Sequence, residues 1–442
     1  MNRITKFLSR GSFVALSALL LAACGDGGGG GTTDTGEAST PGGDSGEEIT
    51  LTWSLWDRDA TVYYQPLIDA FEAENDNIKI EMLDLGSTDY MTVLGTQLSG
   101  GDTSIDVVTI KDMPGYAALV DRNQLEPLND LASDIDLDQY SGTVEQITVD
   151  DTFYGLPFRS DFYVIYYNKD IFDAAGMDYP QNGITFDEYD TLSREVSEKA
   201  TDALGTKIYG GHYHTWRSQV QMYGLLDGEN TLVSTDYSFL QPIYDTVLSL
   251  QADGIVQDYA TLKTSSLHYS AAFYQNNVAS MLMGTWFIPT LATAIENGDS
   301  EEFNWGMVTM PLTDGAEEGT STGTVTTLGI NAGSEQKEAA WKFVEFVTSA
   351  EGSQIIAETG TMPAIQTADV IETIANSPGF PEDEASREAL SVSKTYLELP
   401  LDEDAAQVET ILNDAHDNIM TDNVDVAEEL ENASSQVEAL KQ

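Results

Sequence analysis

One cysteine, Cys24, in a chain of 442 residues excludes an intramolecular disulfide and a cysteine-based zinc site, so the folded body must be held by packing. Positive charge is almost as scarce: 19 Lys plus Arg stand against 74 Asp plus Glu, a formal net charge of −55. Such a surface repels nucleic-acid phosphates and anionic lipid headgroups, which removes DNA, RNA and polybasic membrane docking and leaves cations and neutral molecules as ligands. No apolar run approaches the roughly 20 residues that a membrane span needs. Neither a His-Glu-x-x-His helix nor a Gly-x-x-x-x-Gly-Lys phosphate loop occurs, so these two routes to catalysis have no support. What is present is 41% hydrophobic residues, enough to bury a core, in a chain long enough for two domains of ordinary size.

The N-terminus has its own character. Arg3, Lys6 and Arg10 form a basic start, and Phe13 to Ala23 is an apolar and small-residue run that reads as a secretory signal. It ends Leu21-Ala22-Ala23-Cys24, which is similar to the lipobox of bacterial lipoproteins, where the cysteine is acylated after cleavage. Residues 1–23 are therefore expected to be a signal peptide and Cys24 a lipid anchor. Loss of the three cations takes the net charge from −55 to −58. Residues 24–48 are almost entirely Gly, Ser, Thr, Asp, Glu, Pro and Ala and have no apolar face, so they read as a flexible tether.

From Ile49 onward, strand and helix periods alternate. Ile49, Leu51, Trp53 and Leu55 recur at period two, Leu67 to Ala73 at helical spacing, and Ile78, Ile80 and Met82 at period two again. A helix from Tyr90 to Leu98 stops at Gly100-Gly101, and Asp106 to Ile110 follows as a buried strand. A second region opens with a strand at Phe162 to Tyr167. Thr185 and Glu188 form a capping box for a helix reaching Leu204, and further helices are expected at Ser238 to Asp253 and Trp286 to Glu296. Strands at Val278 to Met283 and Trp305 to Thr309 complete this region. Beyond Asn331 the pattern is helical: Glu335 to Thr348, Ala405 to Ile419 and Val426 to Leu440. Alternation of this kind in two stretches predicts an α/β fold with two lobes.

Candidate ligands follow from residue types at strand ends. Trp56-Asp57-Arg58, Arg159-Ser160-Asp161 and Gly284-Thr285-Trp286 each set an aromatic or charged group where an α/β sheet holds its ligand. Sugars suit such groups, since a ring covers their C–H face while carboxylates and guanidinium meet their hydroxyls. The plainer alternative, that each Trp covers the core of its own lobe, stays open here. His212 and His214 would share one face of a strand, yet too few partners are near for tetrahedral zinc. Asp134, Asp136, Asp138 and Glu145 have calcium-loop spacing, but Gln139 stands where the sharp turn needs glycine, which favours a solvated acidic face. No metal and no cofactor are expected.

The stretch DDTFYGLPFRSDFYVIYYNKDIFDAAG, with GDTSIDVVTI, QNNVASMLMGTW, TLGINAGSEQKEAAWKFVEFVTSAEGSQ and TGTMPAI, resembles the extracellular solute-binding proteins of sugar ABC importers, the maltose-binding-protein-like group. That resemblance implies a two-lobed periplasmic-binding-protein-like fold of type II, with a ligand cleft between lobes joined by a hinge. It implies a first lobe of 49–158 plus 312–362 and a second of 159–311 plus 363–442. It also implies a protein that catalyses nothing, a carbohydrate ligand, permease subunits as partners and an extracytoplasmic, monomeric, lipid-anchored existence. By the same likeness Asp57 and Arg58 would be polar sugar ligands, Asp112 a first-lobe acceptor, Asp161 a carboxylate ligand, Tyr213 or His214 a third wall, and Trp286 a stacking ring. Trp56 and Arg159 join them as substrate-binding candidates from the strand-end reading. After Leu399-Pro400, where maltose-type proteins place another aromatic, this chain has Asp404-Ala405-Ala406, which argues against maltose itself. Two other classes would fit an exported acidic lipoprotein: an enzyme acting on polysaccharide, and a binding module for a non-sugar solute.

Two outcomes follow from these features. Self-repulsion at −58 destabilises a compact state, and salt at 0.1 M screens exposed charges beyond about 10 Å. The melting temperature should therefore rise from low salt to molar NaCl, as in a protein adapted to saline surroundings; a flat profile would contradict this. Separately, Cys24→Ala should release the exported protein from the membrane fraction or leave it unprocessed, because nothing else in the tether is apolar. A mutant that is cleaved and still anchored would show the lipobox reading to be wrong.

Overall fold

The computed structural model describes residues 48–442 apart from 88, 141, 301, 302, 422 and 423. The expected signal peptide, Cys24 and all but the last residue of the tether lie outside these residues. Strand β1 (Ile49–Leu55) is followed by helix α1 (Tyr64–Glu74), strand β2 (Ile78–Asp84), helix α2 (Tyr90–Ser99), strand β3 (Val107–Ile110) and helix α3 (Met113–Asp121). β1 lies between β2 and β3 and runs parallel to both, with Ile49 opposite Ile78 and Trp53 opposite Val107. This is the crossover arrangement that the alternation predicted. Trp53 anchors it: its Nε1 donates to Thr109 Oγ1 (2.8 Å), and its ring meets Tyr64 and Phe343 edge-on at 5.0 and 5.1 Å.

Two long strands then leave this body and build another. Strand β4 (Leu156–Asn168) pairs antiparallel with β7 (Thr320–Ile330) over Leu156 to Phe162. Beyond that point β4 pairs with β5 (Ser280–Gly284) on one side and β6 (Trp305–Thr309) on the other. β7 continues from β3 at its far end to the short strand β8 (Lys394–Leu397) at its near end. Phe158, Leu328 and Ile330 belong to the first core, with Leu51, Trp53 and Phe343. In its second half β4 is covered on both faces: Tyr163, Ile165 and Tyr167 enter one cluster, Phe162, Val164 and Tyr166 another. Period-two alternation thus feeds two packing layers from one strand, which accounts for its continuous apolar and aromatic run.

Most expected elements form, including the capped helix Phe186–Leu204, closed by the left-handed Gly205 (φ 69°). β7 was not expected. Its sequence TSTGTVTTLGI is rich in hydroxyls and lacks an apolar stripe, yet ten of its 11 residues are buried. Burial is tolerated because Ser321 Oγ donates to the Tyr163 carbonyl (2.7 Å) and Thr322 Oγ1 faces the Met222 sulfur (3.1 Å). Residues 312–322, which the resemblance assigned to the first lobe, bond instead to the second body. Leu312 N donates to the Ile184 carbonyl, and Thr313 Oγ1 to that of Tyr223. The changeover falls near Gly323, where a Cβ would collide with the Asp161 carbonyl. No helix among the described residues is long and apolar enough to cross a membrane.

Burial of His416 generates a pH prediction. The ring is buried, its Nδ1 shares a hydrogen bond with the Tyr244 hydroxyl (3.0 Å), and desolvation pushes its pKa down to about 3. The unfolded chain protonates this group near pH 6.5, the folded chain only near 3, so the neutral ring's contribution is complete above pH 6.5 and is lost as pH falls. The slope is about 1.4 kcal/mol per pH unit. His416→Gln should therefore lose less stability than the wild type between pH 7 and 5, measured by urea unfolding. Equal slopes would show that the ring takes up its proton without unfolding.

Candidate functional site

The carboxyl ends of the parallel strands β1 and β3 lie side by side and carry Trp56, Asp57, Lys111 and Asp112, the position where open α/β sheets hold ligands. Trp56 is half-buried, edge-on to Tyr90 at 4.9 Å, with Lys111 Nζ 5.3 Å from its ring centre. Asp57 is exposed and left-handed (φ 50°). Its charge is felt at Lys111 on its own body and at His268 and Tyr269 on the other. Arg58 does not join it. Its guanidinium turns to Asp59 (3.3 Å) in the open, and only its backbone N–H is used inward, by Asp84.

Opposite stands an aromatic shelf from the second body. Trp286 follows β5 directly, and its ring lies over Gly284, whose missing Cβ makes the room. The ring meets Tyr163 edge-on at 5.3 Å and Trp216 at 6.5 Å. Trp216 is 39% exposed, large for an indole, and is braced edge-on by His214 at 4.7 Å and Tyr269 at 5.5 Å. His268 lies against Tyr269 at 4.0 Å. Of the expected third-wall residues, Tyr213 is buried in the second core with Tyr189 and Tyr223, and His214 is buried behind Trp216. Residues 210–214 are all buried, and the first exposed ring is Trp216, two residues beyond His214. Trp216, Tyr269 and His268 were not singled out from the sequence; the Trp closing GGHYHTW was the available signal.

Two buried arginines form ion pairs on the neighbouring elements. Arg159 is 8% exposed and donates from Nη1 to the Tyr63 hydroxyl (2.8 Å) and from Nη2 to Asp161 Oδ2 (2.5 Å). Asp161 is 1% exposed, and its Oδ1 accepts from Thr285 Oγ1 (2.8 Å). Burial raises its pKa, with Arg159 opposing. Nearby, Arg217 pairs with Glu398 (2.9 Å) and Glu409 (3.3 Å), and these groups share a small cavity with Asp112, Met113 and Pro114 at the start of α3. Asp112 caps α3 by accepting from Gly115 N (2.7 Å); burial, then the Glu409 charge, pushes its pKa up to about 6.

No group of three or more His, Cys, Asp or Glu able to hold a metal lies among the described residues. His212 is buried and neutral, its pKa pushed down to about 4 by desolvation, with Nδ1 on Gln257 (3.0 Å). Asp138 bonds through its backbone to Asp136 in an exposed turn. Gly319 to Gly323 reads Gly-Thr-Ser-Thr-Gly, the spacing of a hydrolase nucleophile elbow, but Ser321 sits inside β7, buried and donating to a carbonyl.

Comparison with known proteins identifies the family and the fold. Residues 58–354 match the family described as bacterial extracellular solute-binding protein. A sugar transporter from Rhizobium etli, solved in an open conformation, superposes with a TM-score of 0.77 at 46% identity, covering 88% of this chain and 99% of that one. The galactooligosaccharide-binding protein of Bacillus subtilis is 21% identical over 95% of this chain and 94% of its own. An uncharacterized ABC transporter extracellular-binding protein of Pyrococcus horikoshii is 30% identical over 224 residues, so the match spans about half the length of that relative. The fold is the two-lobed one of periplasmic binding proteins. The chain belongs to the bacterial extracellular solute-binding proteins.

Proposed function

We propose that this solute-binding protein captures a neutral sugar or oligosaccharide between its lobes and delivers it to the permease of an ABC importer, breaking no bond itself. The observation that carries the reading is the shelf of Trp286 and exposed Trp216, backed by Tyr269, with Asp57 of the other body close enough for its charge to act on Tyr269. Flat rings bind the C–H face of a pyranose, and carboxylates accept from its hydroxyls. Asp112, half-buried at the end of β3, supplies a first-lobe acceptor; Arg159 and Asp161 act from beneath. Contacts from both lobes at once favour the closed form, which offers a permease a distinct shape. The similar proteins named for galactooligosaccharide binding and sugar transport support the ligand class. Cys24, acylated after removal of residues 1–23, would hold a monomer outside the cell membrane, with 24–48 as its tether.

A thermal-shift screen against neutral oligosaccharides tests the ligand class, since a ligand at 100 times its Kd adds about 2.7 kcal/mol. With the best carbohydrate in hand, Trp216→Ala and Trp286→Ala should each weaken binding by about 30-fold in calorimetry, the scale of an aromatic anchor. The ligand-free melting temperature of Trp216→Ala should be nearly unchanged, because that ring is open to solvent. Retained affinity with a large loss of melting temperature would assign the rings to the core of their own lobe.

A further inference from the structure

The Asp161 carboxylate is spent inside the protein. One oxygen accepts from Arg159 and the other from Thr285 Oγ1. The helix Phe287–Asn297 starts at Trp286 with no side-chain cap of its own. Asp161, bonded to Thr285 just ahead of this helix, brings a carboxylate toward its positive end, which favours negative charge. The turn is pinned on its other side as well, where the Tyr166 hydroxyl donates to the Gly284 carbonyl (3.0 Å). Through Arg159 the same carboxylate reaches the Tyr63 hydroxyl, at the N-cap of α1 and part of the first core. Tyr63, Arg159, Asp161 and Thr285 are all buried.

We infer that Asp161 is a positioning residue, the link in a buried chain Tyr63–Arg159–Asp161–Thr285 that seats the Trp286 ring and ties its position to the first lobe. This rests on the reading of Trp286 as a binding ring. Lobe movement that shifts Tyr63 pulls on Arg159 and, through one carboxylate, on the turn that aims the indole. The shelf is then fully formed only when the lobes stand in one relation, and ligand affinity depends on groups that never touch ligand.

Thr285→Val and Tyr63→Phe remove one hydroxyl each, nearly isosterically, at sites closed to the cleft. Each should weaken binding of the best carbohydrate by roughly tenfold, the scale of one lost hydrogen bond. Thr285→Ser should restore it. In a Trp286→Ala background, Thr285→Val should cause no further loss, since its effect passes through the ring. Unchanged affinity in both hydroxyl variants, with loss only in Asp161→Asn, would make Asp161 a direct ligand and overturn the inference. Near-UV circular dichroism of the ligand-free protein separates this from failure of the carbohydrate reading. Thr285→Val should alter the part of the indole spectrum that Trp286→Ala removes, whether or not any sugar binds, and an identical spectrum would overturn the inference by itself.

Discussion

The antiparallel pairing of β4 with β7 is the contact on which the rest of the molecule depends. It is where the chain crosses from one core to the other, and both strands change partners there. β4 exchanges β7 for β5 and β6, and β7 exchanges β3 for β8. Close approach at the crossing requires Gly323, whose Cα lies against the Asp161 carbonyl. Hydroxyl residues suit this strand because their short side chains fit between two packed bodies, and Ser321 finds an acceptor in the Tyr163 carbonyl. A stripe of large apolar residues at the crossing would commit β7 to one core.

Charge is distributed around that crossing in a particular way. In a chain of net charge −55, cations are few, and Arg159 and Arg217 are both buried where elements from the two bodies meet. Arg159 holds Asp161 and Arg217 holds Glu398, two carboxylates that burial drives toward protonation and the guanidinium opposes; Arg217 also pairs with Glu409. A buried pair of this kind contributes little net stability against apolar residues of the same shape, but breaking one side leaves an uncompensated charge. Their value is geometric, since a guanidinium with fixed donors holds strands and turns in one register.

The elements read most directly were those whose burial obeys one period. Ile49–Leu55, Phe186–Leu204 and Val426–Leu440 form as expected because each turns one apolar face toward one core. β7 was missed because its burial is two-sided and its residues are polar by type. At the candidate site, the strand-end rule pointed to Trp56, Asp57 and Trp286, whose positions depend on where strands stop, and the family resemblance to Asp112. Trp216, Tyr269 and His268 were invisible to it, as they come from irregular or short helical segments that only long-range packing brings together. Arg159 and Asp161 were read as open polar groups; nothing local says that Tyr63, 96 residues before Arg159, and Thr285, 124 residues after Asp161, would occupy them.

Composition and periodicity by themselves determined an acidic, cysteine-poor α/β chain with two alternating regions, and the motif at Gly155 to Asp170 determined its family. These are properties of residue type and near-neighbour spacing. Which of the candidate side chains face the gap and which lie beneath it was decided by the tertiary structure. Orientation at a strand end depends on what packs behind it: Tyr189 and Tyr223 draw Tyr213 inward, Asp59 turns Arg58 outward, and Gly284 lets the Trp286 ring fold back over its own strand.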